Sequence, residues 1–453
     1  HLERGAIMLE ALQAFFSFVT GPFLLIVLLG TGIFLTLRLR FIQIRGLKEG
    51  IKITRGAYDD PLDPGDVSHF KALCAALSAT VGVGNIAGVA AAIGLGGPGA
   101  IFWMWMTAFL GMAIKCTECT LAQMFRTTDK AGNIAGGPMY YIERGLGKNW
   151  KWLAVVFAFF TVFASFGIGN MVQSNQVAQV LQSSFGVSPY LSGLVIAVLT
   201  GLVIVGGVKR IGQVASFLVP FMAVLYIGAA LFILFLNADK VFACLALIVS
   251  EAFAPTSIAG GAVGSAIMLS MRAGVTRGLF SNESGLGSAP IIHAAAKTTV
   301  PFREGLVALL EPFTDTIIIC TMTALVILCT GTWQGGMSDA PLTAAAFEAG
   351  FSGGAYVVTF SIVLFAFSTA ISWSYYGDRA AEYLLGEKVV LPFRLLYCVF
   401  LFVGAFASAK AHWITQVWNY ADIANLLMAF PNLLALWMLS GLVVKARNEY
   451  FGK

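Results

Sequence analysis

Apolar residues run in long blocks separated by short polar stretches, and the blocks set the element list. Runs near the roughly 20 residues that cross a bilayer as helix predict helices over 14–37, 68–94, 98–125, 152–184, 189–208 and 212–236. The second half continues with 258–296, 305–330, 354–385, 391–409 and 413–445, for eleven predicted spans. Two of them are interrupted. Within 68–94 the run TVGVGN, Thr80 to Asn85, sets Gly82 and Gly84 beside β-branched residues, a composition that weakens helix. Irregular backbone at membrane depth persists only when protein buries it or it lines a polar cavity. A break there turns N–H groups toward an anion and carbonyls toward a cation. In the seventh segment the apolar part, Ile258 to Leu269, is too short to span, and the polar run SMRAGVTRGLFSNESGLGSAP follows. A second interruption is expected around Ser270 to Gly274.

Charge tests the topology. Cytoplasmic loops are rich in Lys and Arg, and most of the 28 basic residues fall on one side of an eleven-span chain, including Arg38, Arg45, Lys52, Arg144, Lys209, Arg303, Arg394 and Arg447. Only Arg4, Lys240 and Lys410 fall on the other. The amino terminus is therefore expected outside and the carboxy terminus in the cytoplasm, in the cell membrane. Omitting the seventh span would place the later basic loops outside, so that segment is expected to cross. A composition of 58% hydrophobic and 11% charged residues excludes a soluble domain. The net charge of +5 is dispersed over helix ends rather than gathered in a stripe, which argues against nucleic acid. The first apolar segment is long and followed by basic residues, so it is expected to be a span rather than a cleaved leader. Cys116-x-x-Cys119 has no second pair to complete a metal site and reads as packing.

The chain is thus predicted to be an all-α integral membrane protein with one transmembrane domain over 1–453. An extra N-terminal helix and cytoplasmic loop occupy 14–64, and two five-helix units occupy 65–236 and 237–453, each opening with an interrupted span. Five is odd, so the second unit enters inverted, and a binding site is expected at the midplane between the broken helices.

The stretch GGPGAIFWMWMTAFLG, Gly96 to Gly111, resembles the signature of the alanine or glycine:cation symporter family, and RGLFSNESGLGSAP, Arg277 to Pro290, resembles a second block of those proteins. The resemblance implies the leucine-transporter fold, a 5+5 inverted repeat behind one extra helix. It also implies import of alanine or glycine driven by sodium, with proton coupling or another small neutral amino acid as the alternative. No cofactor is implied beyond sodium as coupling ion.

Roles follow as expectations. Backbone N–H groups around Thr80, Gly82, Val83 and Gly84 would receive the substrate carboxylate, since no Lys or Arg is on that helix; a glycine kink for helix packing is the plainer reading. Asn85 would offer its amide oxygen to a cation or to the carboxylate shell, or bond across helices. Gln173, with Asn170 nearby, would bind one end of a zwitterion, while Gln176 and Gln179 read as an outer vestibule. Ser270, Met271 and Gly274 would face the first break from the second. By resemblance, Ser78 and Val81 would meet Ser368 and Thr369 around sodium, which prefers hard oxygen donors; Ser and Thr also bond their own helix. Trp373, one turn beyond Thr369, would wall the site. Lys115 and Glu118, three residues apart, read as a structural ion pair. Arg272, Arg277 and Glu283 are expected to line the inward pathway or gate it, with Glu311 and Asp315 as partners; a proton relay through Glu283 or Asp315 is the other reading. His69, His293 and His412 suggest no metal site. A membrane-embedded enzyme would need a nucleophile with its base or a metal motif, and none is found at suitable spacing. A passive channel has no need of two breaks.

Overall fold

A computed structural model describes residues 24–129, 132–253, 263–407 and 411–452. The start of the first predicted helix, residues 258–262, Arg4, Lys410 and the side chain of His412 lie outside the described residues. Among the described residues, seven helices are long and apolar enough to cross a membrane, and an eighth candidate is bent. That one is α1, Leu24–Arg38, which turns by 77° into α2, Ile42–Thr54. Arg40 and Phe41, both at φ 55°, make the corner. The α2 stretch, expected to be loop, is an amphipathic helix whose Gly46 and Gly50 press on Leu306 and Leu309.

The first predicted broken span is α3, His69–Thr80, a tight turn at Val83–Asn85, and α4, Ala87–Gly96. Next come α5, Ala100–Phe125, the short α6, Pro138–Gly145, and α7, Lys151–Phe166, which passes through a wide π turn at Gly167–Met171 into α8, Val172–Phe185. Helices α9, Pro189–Ile204, and α10, Gly207–Leu236, precede α11, Ala238–Phe253, an apolar helix too short for the span pattern to register. The seventh segment is α12, Val263–Asn282, and α13, Ala289–His293. Then α14, Pro301–Ala308, continues through Leu310–Pro312 into a π stretch at Phe313–Cys320 and α15, Thr321–Cys329. Pro312 lacks the N–H that an α-helical ladder requires. The rest is α16, Asp339–Gly350, α17, Gly354–Leu385, α18, Val390–Ala407, and α19, Ala411–Tyr450. Two short antiparallel strands pair Thr127 with Ala135 and Thr128 with Ile134.

Apolar residues face both ways. On α10, Phe217, Val224 and Phe235 are 75%, 73% and 79% exposed, a helix face that only hydrocarbon covers without cost. Inside, small residues let helices meet at backbone distance. Ideal Cβ atoms on Gly274 and Gly305 would lie 2.1 Å from the Ala100 carbonyl oxygen and 2.1 Å from Thr120 Oγ1, so α12 and α14 lie directly on α5. Exposed Glu348 accepts the N–H groups of Ala355 and Gly353 at the start of α17, which holds its carboxyl below the usual range. At the end of α5, Arg126 donates to the carbonyls of Ala294 and Ala296 behind α13, and to those of Pro64 and Thr298.

Gly305→Val is expected to lower stability by about 1–3 kcal/mol, the usual cost of overpacking. Thermal unfolding in detergent should show a lower midpoint; an unchanged one would mean that α14 does not lie on α5 as described.

Candidate functional site

The first break falls at TVGVGN. The α3 ladder ends where Val81 N donates to the Leu77 carbonyl at 2.7 Å, and regular bonding resumes with Asn85 N to the Gly82 carbonyl at 3.2 Å. As the opening residues of a new turn, Val83 and Gly84 present N–H groups with no carbonyl behind them in that helix. Asn85 staples the break. Its Oδ1 accepts from Gly82 N at 2.8 Å, while Nδ2 donates to Asp315 Oδ1 at 2.6 Å and to the Asp315 carbonyl at 3.1 Å. The donors and acceptors around the amide fix which way it points.

Asp315 sits in the π stretch and is fully buried. It accepts from Asn85, from Ser281 Oγ at 2.7 Å and from Thr316 Oγ1 at 2.7 Å, and no Lys or Arg forms an ion pair with it among the described residues. A buried carboxylate demands compensation of this kind. Sequence reasoning named Asp315 as a partner for the seventh-segment arginines and as one end of a proton relay; the structure puts it at the first break. An acidic residue inside an apolar run was the available signal.

The second break is not where the sequence placed it. Helix α12 runs unbroken through Ser270, Met271 and Gly274, and Ser270 and Gly274 belong to its packing surface: the ideal Gly96 Cβ lies 3.0 Å from Ser270 Cα, and Gly274 lies on Ala100. The interruption spans Glu283 to Ser288, where Glu283, Gly285 and Gly287 have φ 54°, 91° and 81°. Left-handed backbone is cheap for glycine and ends the helix there.

Helix α17 brings polar groups to the first break. Ser78 Oγ donates to the Ser368 carbonyl at 2.7 Å, and Ser368 Oγ to the Ser78 carbonyl at 3.1 Å. An ideal Cβ on Gly82 would lie 2.8 Å from Thr369 Oγ1, a buried hydroxyl without a hydrogen-bond partner among the described residues. Trp373 is buried, packs so closely on Gly169 that a Cβ there would lie 2.1 Å from its own, and donates from Nε1 to Glu283 Oε1 at 2.9 Å. It therefore links α17 to the second break. In the π turn Asn170 Nδ2 donates to the Tyr397 carbonyl, and in the first turn of α8 Gln173 Nε2 donates to the Ile168 carbonyl, while Asn170 Oδ1 and Gln173 Oε1 are buried without partners among the described residues.

A cavity of about 500 Å³ reaches the break from the end of the bundle that carries Ser338 and Asp339. Val83, Ala87 and Gly88 line it together with Gln176, Gln179, Arg277 and Phe280. Phe280 also packs beside Gly84, a wall residue that sequence reasoning missed. Arg277 lines the same cavity as Gln176 and Gln179, whereas Arg272 is exposed on the outside of α12. The expected Lys115–Glu118 pair is also corrected. Lys115 Nζ meets Glu311 Oε2 at 3.0 Å, and Glu118 accepts from Asn432 Nδ2.

Two discontinuous helices that place backbone ends beside buried polar side chains are the build of a secondary transporter. The crystal structure of MhsT in complex with L-phenylalanine shares the fold, with a TM-score of 0.52 at 16% identity over 84% of this chain and 99% of that one. Residues 6–453 match the model of the sodium:alanine symporter family. The chain belongs to that family, and so is a multi-pass membrane transport protein rather than an enzyme. It is 51% identical to the sodium/alanine symporter AgcS of Methanococcus maripaludis over 96% of both chains. It is 40% identical to the probable sodium/glutamine symporter GlnT of Bacillus subtilis over 94% of this chain and 87% of that one.

Trp373→Phe keeps the ring on Gly169 and deletes the Nε1 donor to Glu283. A loss of about 1–3 kcal/mol in thermal stability is expected, the cost of a buried acceptor deprived of its partner; a neutral result would remove the link between α17 and the second break.

Proposed function

We propose that the chain imports alanine or glycine together with sodium by alternating access. The observation that carries the reading is the first break, where Val83 lines the cavity with Gly84 next to it in the same turn, and hydroxyls of Ser78, Ser368 and Thr369 gather at the preceding helix end. An amino-acid carboxylate suits the N–H side. Sodium suits hydroxyl and carbonyl oxygen, with Val81 closing the set from the main chain. Gln173 Oε1 and Asn170 Oδ1 offer acceptors to an ammonium group. Thr80, Gly82, Asn85 and Trp373 frame this volume, Asn85 by holding Gly82 and Asp315 rather than by facing solute.

In this reading eleven helices cross the cell membrane: one extra helix, then two five-helix units of opposite orientation, each opening with a broken helix. The amino terminus lies outside and the carboxy terminus in the cytoplasm, following the basic loops. Sodium binding draws on the membrane potential. One charge moving through 100 mV releases about 2.3 kcal/mol, enough for roughly 50-fold accumulation of a neutral zwitterion. The name of the glutamine-type relative keeps a second reading open, in which another neutral amino acid is the passenger.

Labelled alanine should enter proteoliposomes when an inward sodium gradient is imposed and not when potassium replaces it. Asn85→Ala and Gln173→Ala should each lower uptake efficiency about tenfold or more, equivalent to 1.4 kcal/mol, in protein that elutes as a folded species. Sodium-independent uptake would overturn the coupling; wild-type kinetics in both variants would overturn the site.

A further inference from the structure

Away from the cavity, four buried side chains and one lysine form an unbroken chain of contacts. His69, in the first turn of α3, holds one oxygen of Glu304 through Nδ1. The other Glu304 oxygen lies 2.5 Å from Nδ1 of His293. Nε2 of His293 lies 2.7 Å from Glu311 Oε1, and Glu311 Oε2 lies 3.0 Å from Lys115 Nζ. All five are essentially without solvent exposure.

The hydrogen-bond inventory restricts the protonation. Neutral imidazole has one N–H and one bare nitrogen, whereas carboxylate oxygens only accept. Both nitrogens of His293 face carboxylate oxygens, so a neutral ring would set one lone pair against another. A proton on either carboxyl would relieve this. However, Glu304 is also held by His69, Glu311 is also held by Lys115, and imidazole is the stronger base. His69 differs, because only Nδ1 has a partner among the described residues while Nε2 is buried without one; a single N–H satisfies it. Charge gives the same answer. Lys115 also faces the buried carboxyls of Glu118 and Glu283, so it does not by itself offset Glu304 and Glu311, and an imidazolium at His293 supplies the positive charge that two carboxylates need in a dry interior.

We propose that His293 is a resident proton-binding site, an imidazolium clamped between Glu304 and Glu311, distinct from any site that handles passengers. The other groups near it agree. Cys119 of α5 stands within 4.8 Å and Gln123 of α5 donates to the His293 carbonyl; neither carries a positive charge, and the Arg126 guanidinium is taken up by the carbonyls of Ala294 and Ala296. The site has a mechanical meaning. It joins α3, the first half of one broken helix, to α13, the second half of the other, and fastens both to α5 and α14. Removing the proton would leave one bare ring nitrogen facing a carboxylate oxygen and would weaken the tie between α13 and α14.

The chain has four histidines, so ¹⁵N-histidine labelling of the full-length protein in lipid nanodiscs gives a spectrum simple enough to assign. At about pH 8, where free imidazole (pKa about 6.5) is neutral, His293 should show two N–H nitrogens and His69 one N–H and one bare nitrogen. In Glu304→Gln, which removes one clamping charge, a bare nitrogen should appear on His293. A bare nitrogen on His293 in the unaltered protein would overturn the proposal, as would a fully protonated ring that survives Glu304→Gln.

Discussion

Peptide groups cannot be left unpaired inside a hydrocarbon layer, and this transporter interrupts a helical ladder between Val81 and Asn85. The Asn85 amide makes that tenable. One oxygen holds the Gly82 N–H and one nitrogen holds Asp315, so a single side chain closes the break from within and anchors it to the π stretch of a neighbouring helix. Val83, inside the break that the staple closes, lines the cavity. A helix that merely kinked would satisfy its own backbone and offer nothing.

The wide turns belong to the same economy of backbone. Extra residues in a π stretch shift side chains off the regular helical face, and such stretches recur at functional sites. Here one packs Gly169 on Trp373 and turns Asn170 to the Tyr397 carbonyl, and the other presents Asp315 to the first break. Both are flanked by residues that disfavour a regular ladder: two glycines in the first, Pro312 ahead of the second.

Much of the fold was readable from apolar runs alone. The prediction over 354–385 coincides with Gly354–Leu385, and 98–125 nearly with Ala100–Phe125, because charged or glycine-rich turns bound both. Helices α2, α11 and α16 were not foreseen, since 12 to 16 residues fall short of a span and their patterns resemble surface chain. The first break was legible because two glycines sit where nothing else explains them. The second was placed about a dozen residues early: Gly274 is a packing glycine, and only the left-handed angles at Gly285 and Gly287 distinguish a break from close packing. Lys115 went astray for another reason. A local partner at i+3 was visible in sequence, whereas Glu311, 196 positions away, becomes its neighbour only in three dimensions.

Arg126 illustrates what such long-range closure entails. One guanidinium gathers carbonyl groups from the segment that leaves α13 and from the segment that leads toward α3. The two hinges are therefore geared to a common hub: neither base can swing without dragging or releasing the other.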